Sequence, residues 1–167
     1  MLDVSFWFPI VKVIHLGALV IWLGPSGGAW MVLMLARRKA GEPSLVTHYL
    51  YRGFFQMLWL EHAGFFALLA SGIVMLGMFD FAMVQAKWLT IKLAILLLVI
   101  LPIEVADLWF SHRGLPQLFV SRRPDAPYTE RERRLLDAYH RRFVPVALPI
   151  LLGAVVTMMW LAVAKPV

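Results

Sequence analysis

Few side chains in this sequence can do chemistry, and nearly all of them sit in apolar surroundings. His15 lies in one apolar run, with Lys12 a helical turn before it and Trp22 two turns after. Glu61 and His62 are adjacent in a second run. A third holds Lys92 and then Glu104, Asp107, Ser111 and His112, which share a helical face at i, i+3, i+7 and i+8. A neutral imidazole is a common ligand of haem iron and of metal ions, and a lysine can answer a porphyrin propionate or ligate iron itself. Two carboxylates with one or two histidines suit a divalent metal, or a proton relay. The alternative for each group is structural: Lys92 snorkels to the membrane boundary, His15 bonds a neighbouring carbonyl, and the acidic set pins two helices by hydrogen bonds.

The elements that must hold these groups follow from composition. The chain has 167 residues, 61% hydrophobic and 16% charged, a mean hydropathy of +0.76 and no cysteine. A soluble domain carries about 25% charged residues, so the excess apolar surface faces lipid. With about 20 apolar residues per crossing, four spans and their loops use up the chain as one all-α membrane domain. The expected spans are 6–36, 49–79, 88–110 and 143–164, a four-helix bundle with loops at 37–48 and 111–142 and a short turn at 80–87. The first run is longer than a bilayer requires, and Gly24-Pro25-Ser26-Gly27-Gly28 marks its expected kink. It is too long for the apolar core of a cleaved signal and has no Lys or Arg before it, so it is expected to stay in the membrane. Zero cysteines exclude disulfides, thiolate-held clusters, a Cys-ligated zinc and covalent c-type haem.

The stretch TERERRLLDAYHRRF at 129–143 predicts a helix before the last span, with Thr129 as N-cap, Glu132 completing a capping box, and Leu135, Leu136, Tyr139 and Phe143 forming an apolar stripe. Such a face suits the membrane interface. The regions 37–52 and 113–142 hold twelve of the sixteen basic residues and are expected in the cytoplasm, with the termini and the 80–87 turn outside a bacterial inner membrane. The net charge of +6 is thereby used for topology rather than nucleic acid. His48 and His140 fall in polar segments and are expected to be solvated.

Depth sorts the intramembrane groups. Taking midplanes near Ile21, Gly64 and Val99, His15 and Lys92 both lie about 10 Å toward the exterior, and Glu61, His62, Glu104 and Asp107 lie on the other side. A single haem shared by His15 and His62 is disfavoured, because its axial ligands must sit about 4 Å apart along the normal. Met75, Met78, Met158 or Met159 could supply a sulfur ligand opposite His15, although Met is commonly a core filler. Gly17, Gly24 and Gly28 would leave room for a flat macrocycle or, alternatively, pack helices closely.

These residues resemble a family. Lys12-x-x-His15-x6-Trp22-x-Gly24 is similar to the first helix of the HemJ-type protoporphyrinogen oxidases, which share a broader grouping with CopD-like copper-resistance and DUF2269 membrane proteins. Trp88-Leu89-x-x-Lys92-Leu93 resembles that family's third-helix motif, and Arg142, Pro149 and the terminal Lys165-Pro166 resemble its closing residues. The resemblance covers about half of the chain. It implies a four-helix membrane bundle that binds haem b, with His15 as axial ligand, Lys92 as functional lysine, Trp22 against the cofactor, and Lys12 and Gly24 in the same motif. It also implies oxidation of protoporphyrinogen IX to protoporphyrin IX, with a quinone or another electron acceptor. A second reading is a divalent-metal or copper-handling transport protein using Glu61, His62, Glu104, Asp107 and His112. A third is a structural subunit, and exposed apolar helix faces fit either lipid or a homodimer.

The cysteine-free sequence allows the orientation to be read from single introduced cysteines. In intact cells, Ala40→Cys stays unlabelled by a membrane-impermeant maleimide while Gln85→Cys is labelled; the reverse pattern would invert the topology.

Overall fold

The computed structural model describes residues 4–79, 86–120, 123, 124 and 126–165. Of the turn expected at 80–87, residues 80–85 lie outside these, as does Pro166. The fold is all-α, with no strand among the described residues and four helices long and apolar enough to cross a membrane. Its burial pattern is that of a protein solvated by lipid. Val163 and Leu98 are 86% and 76% exposed, whereas Glu61, His62, Ser71, Glu104 and Ser111 are buried. Apolar side chains on the outside, and several polar ones buried among an apolar core, depart from the arrangement that water selects.

The chain divides into two compact units, 1–81 with 116–127 and 82–115 with 128–167. The first is a helical hairpin. Helices α1 (Val4–Leu23) and α2 (Pro25–Ala40) form its first arm and α3 (Leu45–Gly77) its second. The expected break falls at Gly24, whose N–H still bonds Val20 O at 3.0 Å while Pro25 opens α2 without a donor. A Cβ on Gly24 would meet Val20 O at 2.8 Å, so the glycine serves the break itself. Successive contacts fix an antiparallel register between α1 and α3, about two turns apart. Phe8 meets Phe79 edge-on, His15 meets Ser71, and Trp22 meets Phe65. Gly64 lets the two backbones close, for a Cβ there would lie 2.8 Å from Trp22 N and 3.1 Å from Ala18 O.

Helices outrun the apolar stretches at both basic segments. Hydrogen bonding along a helix needs no membrane, so α2 continues through the Arg37-Arg38-Lys39 run to Ala40. The connection shrinks to 41–44, where Gly41 takes a φ of 71°, Arg37 pairs with Glu42 at 2.8 Å, and Ser44 and Thr47 cap α3 reciprocally. The short helix α6 (Gln117–Val120) lays Phe119 against Tyr51, their rings 4.4 Å apart and nearly parallel. Phe119 also packs on His48, which is therefore buried. The expectation of a solvated His48 is corrected: a local sequence pattern does not show the aromatic lid that a distant segment supplies.

The second unit is also a hairpin. Its first arm comprises α4 (Lys87–Ile95), a π-helical turn at Leu96–Ile100, α5 (Leu101–Trp109) and a second π turn at Phe110–Gly114. The other arm comprises α7 (Glu130–Asp137), a third π turn at Ala138–Phe143, and α8 (Val144–Ala164). Thr129 and Glu132 form the expected capping box, and Leu136 and Tyr139 are buried along the apolar stripe. That helix runs on into the last span without a break. His140 is buried too, in the third π turn beside Tyr139, which corrects the second expectation of a solvated histidine: the helix expected at 129–143 is present, and it turns this residue into the packing rather than toward water.

The three π turns among the described residues share one setting. Each ends two residues before a proline: Ile100 before Pro102, Gly114 before Pro116, and Phe143 before Pro145. A proline donates no hydrogen bond, and its ring clashes with the carbonyl four residues back. In each case that carbonyl lies within the wide turn. The residue just before the proline bonds five residues back instead: Leu101 to Leu96 O, Leu115 to Phe110 O, Val144 to Tyr139 O. Widening the turn moves the stranded carbonyl off the ring while the chain stays helical.

The Gly64 contact gives a stability prediction. Gly64→Ala forces α1 from α3 and costs about 1–3 kcal/mol. Gly53→Ala, with no atom within 4 Å of its Cβ position, is neutral or stabilising. Unfolding midpoints in an SDS titration followed by circular dichroism distinguish the two.

Candidate functional site

His15 projects from α1 toward α3 on the face that also carries Ala18 and Trp22. Its Nδ1 lies 2.9 Å from Ser71 Oγ. The direction of that bond follows from the serine's other contacts. Ser71 Oγ lies 2.7 Å from Ala67 O and 3.0 Å from Leu68 O, and both carbonyls only accept, so they take the hydroxyl proton. The oxygen is left to accept from His15 Nδ1–H. In the neutral ring this makes Nε2 the basic nitrogen. Gly72, next to Ser71, brings the backbone close to the ring: a Cβ there would stand 3.4 Å from His15 Cε1. Two turns on, Trp22 is buried to 2% and packs against Phe65 at 5.4 Å. Lys12 is exposed, as are Gly24 and Gly28, and the Cβ positions of Gly17 and Gly28 look onto open space.

No family model, curated protein or solved structure matches the chain.

Within the same hairpin, His62 is buried and its Nδ1 donates to Leu58 O at 2.6 Å, so its Nε2 is likewise the basic nitrogen. It stands nine residues from Ser71 on α3, roughly 13 Å along the axis, and its bond to Leu58 draws the ring further away. That separation agrees with the expectation that His15 and His62 do not face one macrocycle. Glu61 is buried beside it. Met75, one turn beyond Ser71, and Met78 are both half-buried.

The remaining expected residues belong to the second hairpin. Glu104 is 2% exposed, and Asp107 Oδ1 accepts a hydrogen bond of 2.9 Å from Tyr139 OH. Ser111 donates to Asp107 O at 2.6 Å, and His112 lies half-buried in the second π turn. Among the described residues, no three His, Asp or Glu side chains are grouped to hold a metal ion. Tyr139 is a polar participant that the sequence pattern presented only as part of an apolar stripe; the signal was its hydroxyl, which a buried tyrosine must satisfy. Lys92 is half-buried, with its Nζ 6.0 Å from the centroid of the Trp88 ring, one turn back toward the helix start. Lys165 Nζ approaches the same ring at 5.9 Å. Met158 is half-buried and Met159 exposed.

The bond between α1 and α3 is measurable by a double-mutant cycle. His15→Ala and Ser71→Ala, singly and together, give a coupling energy of about 0.6 kcal/mol, reaching ~1.7 kcal/mol at most. A coupling of zero would mean that the two side chains do not interact.

Proposed function

We propose that this protein is a haem b-binding redox protein of a bacterial inner membrane, with His15 as an axial ligand. The observation that carries the reading is the Ser71 contact. Histidines that bind metal donate their other N–H to a fixed acceptor, which sets the tautomer and raises the basicity of the ligating nitrogen. The Ser71 hydroxyl, its proton committed to Ala67 O and Leu68 O, is such an acceptor within an otherwise apolar hairpin.

The donor set fits haem b. Imidazole suits iron, and the absence of cysteine leaves non-covalent attachment as the mode of holding. His15 would bind the iron through Nε2, Ser71 would hold the ring orientation, and Trp22 with Phe65 would supply a rigid aromatic wall two turns along. Haem, when bound, supplies one-electron redox chemistry, while the apolar surroundings set its potential. The roles of Lys92 and Lys12 toward porphyrin propionates, and the oxidation of protoporphyrinogen IX with a quinone or another acceptor, enter through the sequence resemblance. So does the orientation with both arginine-rich segments in the cytoplasm, through the charge count. The reading of Glu61, His62, Glu104, Asp107 and His112 as a metal site has no comparable geometric support, since no three His, Asp or Glu side chains among the described residues are grouped to hold a metal ion.

The test is the visible spectrum of detergent-purified protein, oxidised and dithionite-reduced, with iron analysis. The expected result is a Soret band with sharp reduced α and β bands that His15→Ala abolishes. Ser71→Ala keeps the haem and raises its midpoint potential, because the imidazole loses its acceptor. A colourless protein after expression with ample haem, or a spectrum indifferent to His15→Ala, would overturn the assignment.

A further inference from the structure

At the end of the second hairpin, Trp88 lies in the first turn of α4 and Lys165 is the C-cap of α8. Lys92 reaches back one turn along its helix and Lys165 reaches across from the other, so two ammonium groups stand within 6.0 Å of one indole centroid. They are thus no more than about 12 Å apart. Among the described residues, neither lysine is paired with a carboxylate. Lys165 also holds a left-handed backbone conformation, φ 41°, at a helix C-terminus where glycine is the usual occupant. A third cation, Lys87, is the first residue of α4.

The distribution of charge along the chain sharpens the point. Only four basic residues fall outside the two arginine-rich regions, namely Lys12, Lys87, Lys92 and Lys165. Three of them belong to this one end of the second hairpin. Cations on this side work against the bias that orients the spans, and they repel one another around a single ring, so an anion between them would relieve both. The ligand must also tolerate an apolar flank. Ile91 on α4, and Trp160 and Val163 on α8, are exposed just inside the same end. A tryptophan with lysines at the end of apolar helices stands at the headgroup layer of a bilayer.

We propose that Lys92, Lys165 and Trp88 bind the phosphate of an anionic phospholipid headgroup, whose acyl chains lie along the exposed apolar faces of α4 and α8. The ammonium groups donate to the non-bridging phosphate oxygens, and the indole holds the glycerol level with the helix ends. This site shares Lys92 with the haem reading, so its test uses Lys165, to which that reading assigns no contact with the haem.

The experiment measures binding of phosphatidylglycerol and of phosphatidylcholine to the full-length protein in an uncharged detergent, by phospholipid retained after gel filtration and by the unfolding midpoint. Wild type retains phosphatidylglycerol preferentially and is stabilised by it. Lys165→Gln weakens that binding about fivefold. Lys165→Arg preserves it, and Arg131→Gln, at the opposite end of the hairpin, leaves it unchanged. Equal retention of the two lipids, or phosphatidylglycerol binding indifferent to Lys165→Gln, would overturn the proposal. So would inorganic phosphate or a dicarboxylic porphyrin stabilising the lipid-free protein through Lys165 where phosphatidylglycerol does not. The haem spectrum recorded on the same samples keeps the two readings separate, because Lys165→Gln leaves it unaltered.

Discussion

A backbone in hydrocarbon must satisfy its own hydrogen-bonding groups, and this chain meets that requirement while placing prolines inside its spans. The three π turns are its main device, each set just ahead of a proline so that the helix widens rather than breaks. Where the break is complete, at Gly24-Pro25, α1 and α2 remain packed on α3, and the loss is local. Hydroxyl groups take up a share of the work. Ser71, Ser111 and Thr157 each donate to a carbonyl one turn back, which satisfies the two buried serine hydroxyls and the exposed threonine alike within otherwise apolar helices. The contact with His15 rests on one of these bonds, because Ser71 can accept only when its proton is already placed.

The span count was legible because apolar length is a strong signal that no tertiary contact overrides, whereas the extents of the two basic connections were not, because the helices run on into them. The cap at Thr129 was legible too: a capping box is local. What the sequence withheld was long-range. The partner of His15 is a serine 56 positions away, and nothing in the spacing around Ser71 distinguishes it from a serine facing lipid. His48 sits in polar surroundings in sequence and against the Phe119 ring in space, and His140 is buried within the third π turn. Tyr139 was visible as part of an apolar stripe, yet its hydroxyl reaches Asp107 across the hairpin. In each case the missing information was which helix lies opposite and in what register.

Two histidines of the first hairpin, His15 half-buried and His62 buried, show how similar sequence settings part company in chemistry. Both donate from Nδ1, but His62 bonds a carbonyl of its own helix, whereas His15 bonds a side chain of another. The first arrangement fixes a ring against its own turn and asks nothing of the neighbouring helix. The second ties the orientation of an imidazole to the register of α1 on α3, so anything that shifts the register re-aims the ring. Gly64 and Gly72, at the two closest approaches, hold that register within narrow limits.

The wide turns also change how the sequence should be counted. A π turn holds one residue more than an α turn over a similar rise, so the helix faces on either side keep their phase in space while the residue count between them slips by one. Counting 3.6 residues per turn from Lys92 to Glu104 crosses such a turn and displaces the inferred face by about 100°. Chains of this architecture that lack one of the prolines could dispense with the extra residue and still superimpose. Alignments that forbid single-residue gaps inside helices would then pair the wrong side chains over an entire span.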